Sequence, residues 1–148
     1  VCNVKNVLMT PGSRHYFHTI VQIKKETEGD GKNAIIAAFS ANPSLKCVVV
    51  VDEDIDPTNL DEVLHAFATK CHPVKGTTVV DHSNLSPLTG FLWPGEREPG
   101  LGANVVYDCT WPTQWKKEDV PIRSSFNDTY PRNIQKKVLS NWEKYGFK

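Results

Sequence analysis

What this sequence lacks narrows its reading before any motif is weighed. Its 17 basic residues balance 17 acidic ones, and no block of Lys or Arg is longer than two residues. A nucleic-acid-binding surface needs a local excess of positive charge, and none is written here. No apolar stretch approaches the roughly 18 to 20 residues that span a bilayer, and the N-terminus lacks the basic, apolar and small-residue succession of a secretion signal. The chain therefore reads as soluble and cytoplasmic, with neither a membrane nor a nucleic acid as partner. Cysteine is sparse as well. Cys2, Cys47, Cys71 and Cys109 are widely separated, and no Cys/His spacing matches a zinc motif. Cys47 and Cys71 fall inside apolar patterns, where a free thiol behaves as a small hydrophobe, so buried thiols are expected rather than disulfides. A phosphate loop is missing despite the Gly31-Lys32 pair, and so is a G-x-S-x-G nucleophile elbow.

What is present suits one domain over residues 1–148, long enough to bury a core. "NVLMTPG", from Asn6, reads as a short strand stopped by Pro-Gly. His15 to Lys24 follows a period of two that Ile20 interrupts, which predicts a strand with one face buried. Asp30 is the expected cap of a helix carrying Ile35, Ala38 and Phe39, ended at Asn42-Pro43. Val48 to Val51 is continuously apolar and β-branched, the pattern of a strand covered on both faces at the centre of a sheet. Thr58 or Asn59 then caps a helix whose Leu60, Val63, Leu64, Phe67, Ala68 and Cys71 share one side, until Pro73 halts it. "TTVVD" and "ANVVYDC" read as further strands, separated by a proline- and glycine-rich loop over residues 83–102. Such a length without regular structure points to a functional loop. A last helix has Pro131 in its first turn, Ile134, Val138, Trp142 and Tyr145 on one face, and Gly146 as its stop. This alternation predicts a layered α/β fold with a mainly parallel, mixed sheet flanked by helices and a long aromatic-rich loop.

Three groups of residues carry possible chemistry. In "DEDID", Asp52, Asp54 and Asp56 alternate, so an extended chain would turn all three to one side, as a hard cation requires. A calcium loop is excluded, because Pro57 stands where that loop needs glycine and Val63 where it needs glutamate. The competing reading is a strand end whose carboxylates favour the next helix through its dipole. His15 and His18 follow a Pro-Gly turn, where a proton-handling side chain can face a cleft; three apart on one strand, they point to opposite faces, so at most one serves. His65, His72 and His82 read as solvated. Phe91, Trp93, Trp111 and Trp115 crowd the irregular regions, as the lining of an apolar pocket, as an interface or as packing under loops.

The segment "VVVVDEDIDPTNLDEVLHAFATKCHP" resembles the hallmark segment of the UbiD-like decarboxylases, with His65 where Trp is commoner and Lys70 where Arg is commoner. "HTIVQIKKETEGDGKNAIIAAF" before it, "NVVYDCTWPTQW" after it and the closing "YPRNIQKKVLSNWEKYGF" resemble further segments of that family in the same order. The resemblance implies a carboxy-lyase about three times this length. It would use prenylated FMN with a divalent metal and potassium, bound mainly outside this chain. Its catalytic Glu-Arg-Glu group is expected upstream of Val1. The chain, which begins with Val rather than Met, is then the C-terminal α/β domain of a longer homo-oligomeric decarboxylase, closing the substrate side and inactive alone. "CHPVKGTTVVDHSNLSPLTGFL" and "DCTWP" resemble the branch acting on hydroxylated benzoic acids such as protocatechuate or gallate. That likeness implies reversible, non-oxidative decarboxylation of an aromatic carboxylic acid. On this reading His15 or His18 meets a ring hydroxyl, Leu88, Phe91 and Trp93 shape the pocket, and the aspartates serve structure, with no metal or flavin site in the chain itself. The alternatives are a separately encoded, non-catalytic subunit or oligomerisation domain of the same fold, and a free-standing magnesium enzyme built on "DEDID".

Overall fold

The computed structural model describes residues 3–147, so Cys2 lies outside the described residues. Internal contacts divide the chain, which the sequence presents as one domain, into two compact units, Val1–Gln114 and Trp115–Lys148.

The first unit is built on strands β1 (Asn3–Met9), β2 (His18–Lys24), β3 (Cys47–Asp52), β4 (Thr77–Asn84) and β5 (Leu101–Cys109), ordered β1-β2-β3-β5-β4. The three central strands are parallel, and the two edge strands pair antiparallel. The valine run takes the centre as its composition predicts. Val48 and Val50 face helix α1 (Asp30–Ala41) and pack with Val21, Ile23, Ala34 and Ile35. Val49 and Val51 face helix α2 (Leu60–Lys70) and pack with Ile20, Val63 and Ala66. Full burial stabilises each such side chain by about 1.5–3 kcal/mol, so four in succession anchor the sheet. The same two-sided burial explains Ile20: a strand covered on both faces has no solvent face on which to alternate. Gln22 beside it donates from Nε2 to the carbonyls of Glu53 and Ile55, at 3.0 and 2.8 Å, and so pins the turn that follows β3.

Local chemistry moves several expected boundaries. Strand β2 starts at His18, because Arg14 and His15 both take the left-handed conformation, φ 55°, and close a turn after the 3-10 segment Pro11–Ser13. His15 and His18 therefore do not share a strand. Asp30 lies inside α1 rather than capping it. Its carboxylate accepts from the backbone N–H of Glu26 and Thr27 and from the Thr27 hydroxyl, closing the preceding turn; these bonds hold it below the usual carboxylate range. Asn59 is the cap of α2, accepting from the Glu62 N–H, while Glu62 reaches back to the Asp56 N–H. Strand β4 extends to Asn84, with an irregularity at left-handed His82. The loop that follows contains the short helix α3 (Pro94–Arg97) and is fastened by buried Leu85 and Leu92. Those leucines press on Gly102 of β5 so closely that a Cβ there would come within 2.8 Å of Leu92 Cδ2.

In the second unit, helix α4 (Phe126–Thr129) and helix α5 (Arg132–Ser140) are tied by buried Gln135, whose Nε2 donates to the carbonyls of Asn127 and Tyr130. Pro131 sits just before α5. The last helix does not run on to Trp142 and Tyr145 as expected: α5 ends at Ser140, and left-handed Gly146 (φ 86°) closes a separate 3-10 turn, Glu143–Tyr145, while Trp142 stacks on Phe147 at 4.6 Å. Among the described residues no helix is long and apolar enough to cross a membrane.

Candidate functional site

Parallel pairing sets His18, the first residue of β2, directly beside Cys47, the first of β3. The backbone N–H groups of Lys46 and Cys47 both donate to the Phe17 carbonyl, which clamps the two strand starts together. Two clefts meet at this point and share His18 and Cys47. One, of about 410 Å³, is closed by Ser13 and Phe17 before β2, by Lys46, and by Thr89 and Phe91 from the long loop. The other, of about 390 Å³, is apolar and runs between the sheet and α2, along Leu60, Leu64 and Phe67 to Tyr107 of β5.

The half-buried His18 is the polar group at the junction. Its Nδ1 is 3.0 Å from the Thr10 hydroxyl, which in turn donates to Ser13 Oγ at 3.0 Å; Ser13 Oγ donates to the Thr10 carbonyl at 2.9 Å. Burial lowers its pKa below the ordinary value, so the ring is neutral at pH 7. Cys47 is the other shared residue. Its thiol is pushed up to about 11 by burial, which leaves it protonated and a poor nucleophile. Cys71 and Cys109 are free too, Cys109 fully buried.

The expected site residues separate. His18 and Phe91 line the first cleft, and Lys46 Nζ sits 4.7 Å above the centre of the Phe91 ring. His15 is exposed, its Nδ1 donating to the Met9 carbonyl, and lines neither cleft. Leu88 and Trp93, 80% and 64% exposed, stand on the same loop but outside the lining. Lys46 and Thr89 carry no signal in a single sequence: the pairing of β2 with β3 brings Lys46 to His18, and the fold of the long loop brings Thr89.

The aspartates form a different kind of cluster. After Asp52 the chain turns, so the three do not line up. Lys70 Nζ, 6% exposed, binds Asp52 at 2.8 Å and Asp54 at 3.3 Å, and lies 5.3 Å from the centre of the Trp111 ring. The Trp111 N–H also donates to Asp52. Asp56 instead accepts from the N–H and hydroxyl of Thr58. Burial raises the Asp52 carboxyl above its usual range and the Lys70 ammonium partly offsets this. Among the described residues no group of three or more His, Cys, Asp or Glu is placed to hold a metal ion.

The family described as the 3-octaprenyl-4-hydroxybenzoate carboxy-lyase C-terminal domain matches residues 1–109. An anhydromevalonate phosphate decarboxylase of Archaeoglobus fulgidus is 57% identical over 88 residues, which are 60% of this chain and 21% of that protein. Among solved structures, the UbiD-class enzyme HmfF from Pelotomaculum thermopropionicum in complex with FMN superposes with a TM-score of 0.77 at 30% identity, over 95% of this chain and 29% of that one. The closed form of the vanillic acid decarboxylase of Sedimentibacter hydroxybenzoicus gives 0.74 at 26% identity, over 96% and 29%. The chain thus spans less than a third of each of these three proteins.

Proposed function

Because this chain belongs to the family of 3-octaprenyl-4-hydroxybenzoate carboxy-lyase C-terminal domains found in UbiD-class decarboxylases, we propose that it is the substrate-side part of a longer, cytoplasmic and homo-oligomeric carboxy-lyase. The complete enzyme releases the carboxylate of its substrate as carbon dioxide; the C–C electron pair stays on carbon and is taken up by a proton. The 57% identity to anhydromevalonate phosphate decarboxylase carries the choice of substrate class, a short branched acid bearing a phosphate. The hydroxybenzoic acid reading is kept as second, favoured by Phe17 and Phe91 beside His18 in one cleft and by the 26% identity to vanillic acid decarboxylase.

Neither cleft suits prenylated FMN as a resident group. The apolar one has His18 as its only ionisable nitrogen, the other a single lysine, and no carboxylate of a metal-bridged phosphate site lines either. The flavin, the divalent metal, the potassium and the Glu-Arg-Glu group are assigned to the rest of the enzyme. What this chain supplies is His18, a neutral imidazole able to hold or pass a proton, with Phe91 and the α2 face as apolar walls on either side. His15, Leu88 and Trp93 take no part in this assignment.

The test is turnover by the full-length enzyme loaded with prenylated FMN, following carbon dioxide release from anhydromevalonate phosphate, protocatechuate and vanillate. Release from the phosphorylated acid supports the first reading, and release from the benzoic acids alone supports the second. Release from none of them, or turnover by the isolated chain, overturns the proposal.

A further inference from the structure

We propose that the cleft at the start of β2 and β3 is the subsite for the substrate's phosphate, with Lys46 as its cation and the Thr89 hydroxyl as a hydrogen-bond partner. The inference rests on the reading of the substrate as a phosphorylated acid. Three independent features of the cleft support it.

The first is charge. No Asp or Glu lines this cleft, and Lys46 has no carboxylate partner among the described residues; its ammonium is held over the Phe91 ring instead. The lysines of the same unit with buried side chains are neutralised, Lys70 by two aspartates and Lys25 by Glu28, whereas Lys46 stands exposed at the cleft without such a partner. Since burial keeps His18 neutral at pH 7, Lys46 is the standing positive charge of the cleft. An ammonium placed over an aromatic face remains free to bind an anion from its other side.

The second is an unmet hydrogen bond. Thr89, 4% exposed, lines the cleft, and its Oγ1 is buried without a partner. A buried hydroxyl left unpaired costs free energy, so its retention needs a reason. A phosphate oxygen, acceptor for both the hydroxyl and the ammonium, supplies one. Ser13 is not available for this, because its hydroxyl is committed to the Thr10 carbonyl.

The third is continuity. The cleft joins, through His18 and Cys47, an apolar cleft of similar volume lined by Val49, Leu64, Phe67 and Tyr107. A pocket whose partly aromatic wall carries one cation and which opens into a hydrocarbon-lined one fits a molecule with a phosphate at one end and a branched hydrocarbon body. A flat dihydroxybenzoate offers the lysine only neutral hydroxyls besides its carboxylate, and so no second anionic group.

Substrate carboxylate is the competing anion for Lys46, and the experiment separates the two. In the full-length enzyme, kcat/KM is measured for anhydromevalonate phosphate and for the same acid without its phosphate. Binding of both to the enzyme without flavin is followed by calorimetry. Lys46→Met is expected to weaken binding and lower kcat/KM for the phosphorylated acid by about ten- to a hundred-fold, the range of one charge-assisted hydrogen bond, and to affect the unphosphorylated acid much less. Lys46→Arg should restore most of the loss. Thr89→Val should weaken binding of the phosphorylated acid by several-fold while leaving the melting temperature unchanged or higher, since it removes an unpaired hydroxyl. Equal weakening for both acids in Lys46→Met assigns the lysine to the carboxylate and overturns the proposal. So does unchanged binding in Lys46→Met with wild-type turnover intact. If the wild type neither binds nor turns over the phosphorylated acid, the substrate reading falls and the subsite falls with it.

Discussion

Helices α1 and α2 cover opposite faces of one sheet, yet they are held by different forces. Under α1 the apolar positions are filled: Ala34 and Ile35 are buried against Val48, Val50 and Ile23, with Ala38 and Phe39 packed behind them. Under α2 only Val63 and Ala66 are buried, while Leu60, Leu64 and Phe67 stay 51%, 63% and 37% exposed along an open cleft. What α2 lacks in packing it gains in polar attachment, through the Asn59 cap at one end and the Lys70–Asp52 pair at the other. The filled side can serve stability alone, whereas the open side keeps an apolar wall available. An amphipathic pattern specifies which side of a helix is apolar, but not whether the partner surface fills it.

The largest effect should come from breaking the filled side. Ile23 is fully buried in the α1 layer, and Ile23→Ala is expected to cost about 2–5 kcal/mol by loss of buried surface and by the cavity left behind. Leu64→Ala on the open side should cost less than about 1 kcal/mol, because little of that side chain leaves water on folding. Urea unfolding of the two variants measures both. Equal losses would show that α2 is packed as tightly as α1 and would remove the contrast.

The polar attachment makes a second, smaller break. Lys70→Met deprives the half-buried Asp52 of its cation and should destabilise by about 1–3 kcal/mol, less than for a fully buried pair because Asp52 retains some solvent contact. The sign of its pH dependence follows from the raised Asp52 pKa. Folding favours the protonated carboxyl, so this group's contribution is fullest below its ordinary pKa and is lost as pH rises through the raised one. Without Lys70 the pKa rises further and the loss extends to higher pH. The deficit of the variant should therefore be largest near pH 7 and shrink in acid, which unfolding at pH 4 and pH 7 measures; a deficit independent of pH would show that the lysine stem, not its charge, holds α2.

Much of this architecture is written locally. The valine run and the placement of α2 each depend on a few neighbouring residues, and each falls where the sequence places it, whereas the last helix stops at Ser140, short of the expected glycine stop at Gly146. Errors arose where a side chain bonds backward or the chain reverses. Asp30 looks like a cap because its bonds to Glu26 and Thr27 have no pattern of their own, and His15 looks like strand until two successive left-handed residues intervene. The site was less legible than the fold. The sequence marks His18 and Phe91 only as residue types in suggestive places; the cleft they share depends on the register that pairs His18 with Cys47 and on a loop fastened by Leu85 and Leu92. Lys46 and Thr89 gain meaning only from that long-range assembly.

The smallest effect sharpens the comparison at the acidic run, where sequence alone left a metal site and a strand end in competition. Asp54 is 64% exposed at its side chain and meets Lys70 at 3.3 Å, whereas Asp52 is 17% exposed, meets it at 2.8 Å and also accepts from the Trp111 N–H. Exposed ion pairs contribute about 0–1 kcal/mol, because water already solvates both charges and holding two long side chains together costs entropy. Asp54→Asn should thus shift stability by no more than about 0.5 kcal/mol and leave turnover of the full-length enzyme near wild type. The expectation that this residue acts on folding or assembly rather than chemistry then narrows: Asp52 bears the structural load and Asp54 adds little. Unfolding and steady-state rates of the variant decide it. A well-folded Asp54→Asn enzyme without activity would return the acidic run to the chemistry, while a loss comparable to that of Lys70→Met would mean that Lys70 relies on both carboxylates together.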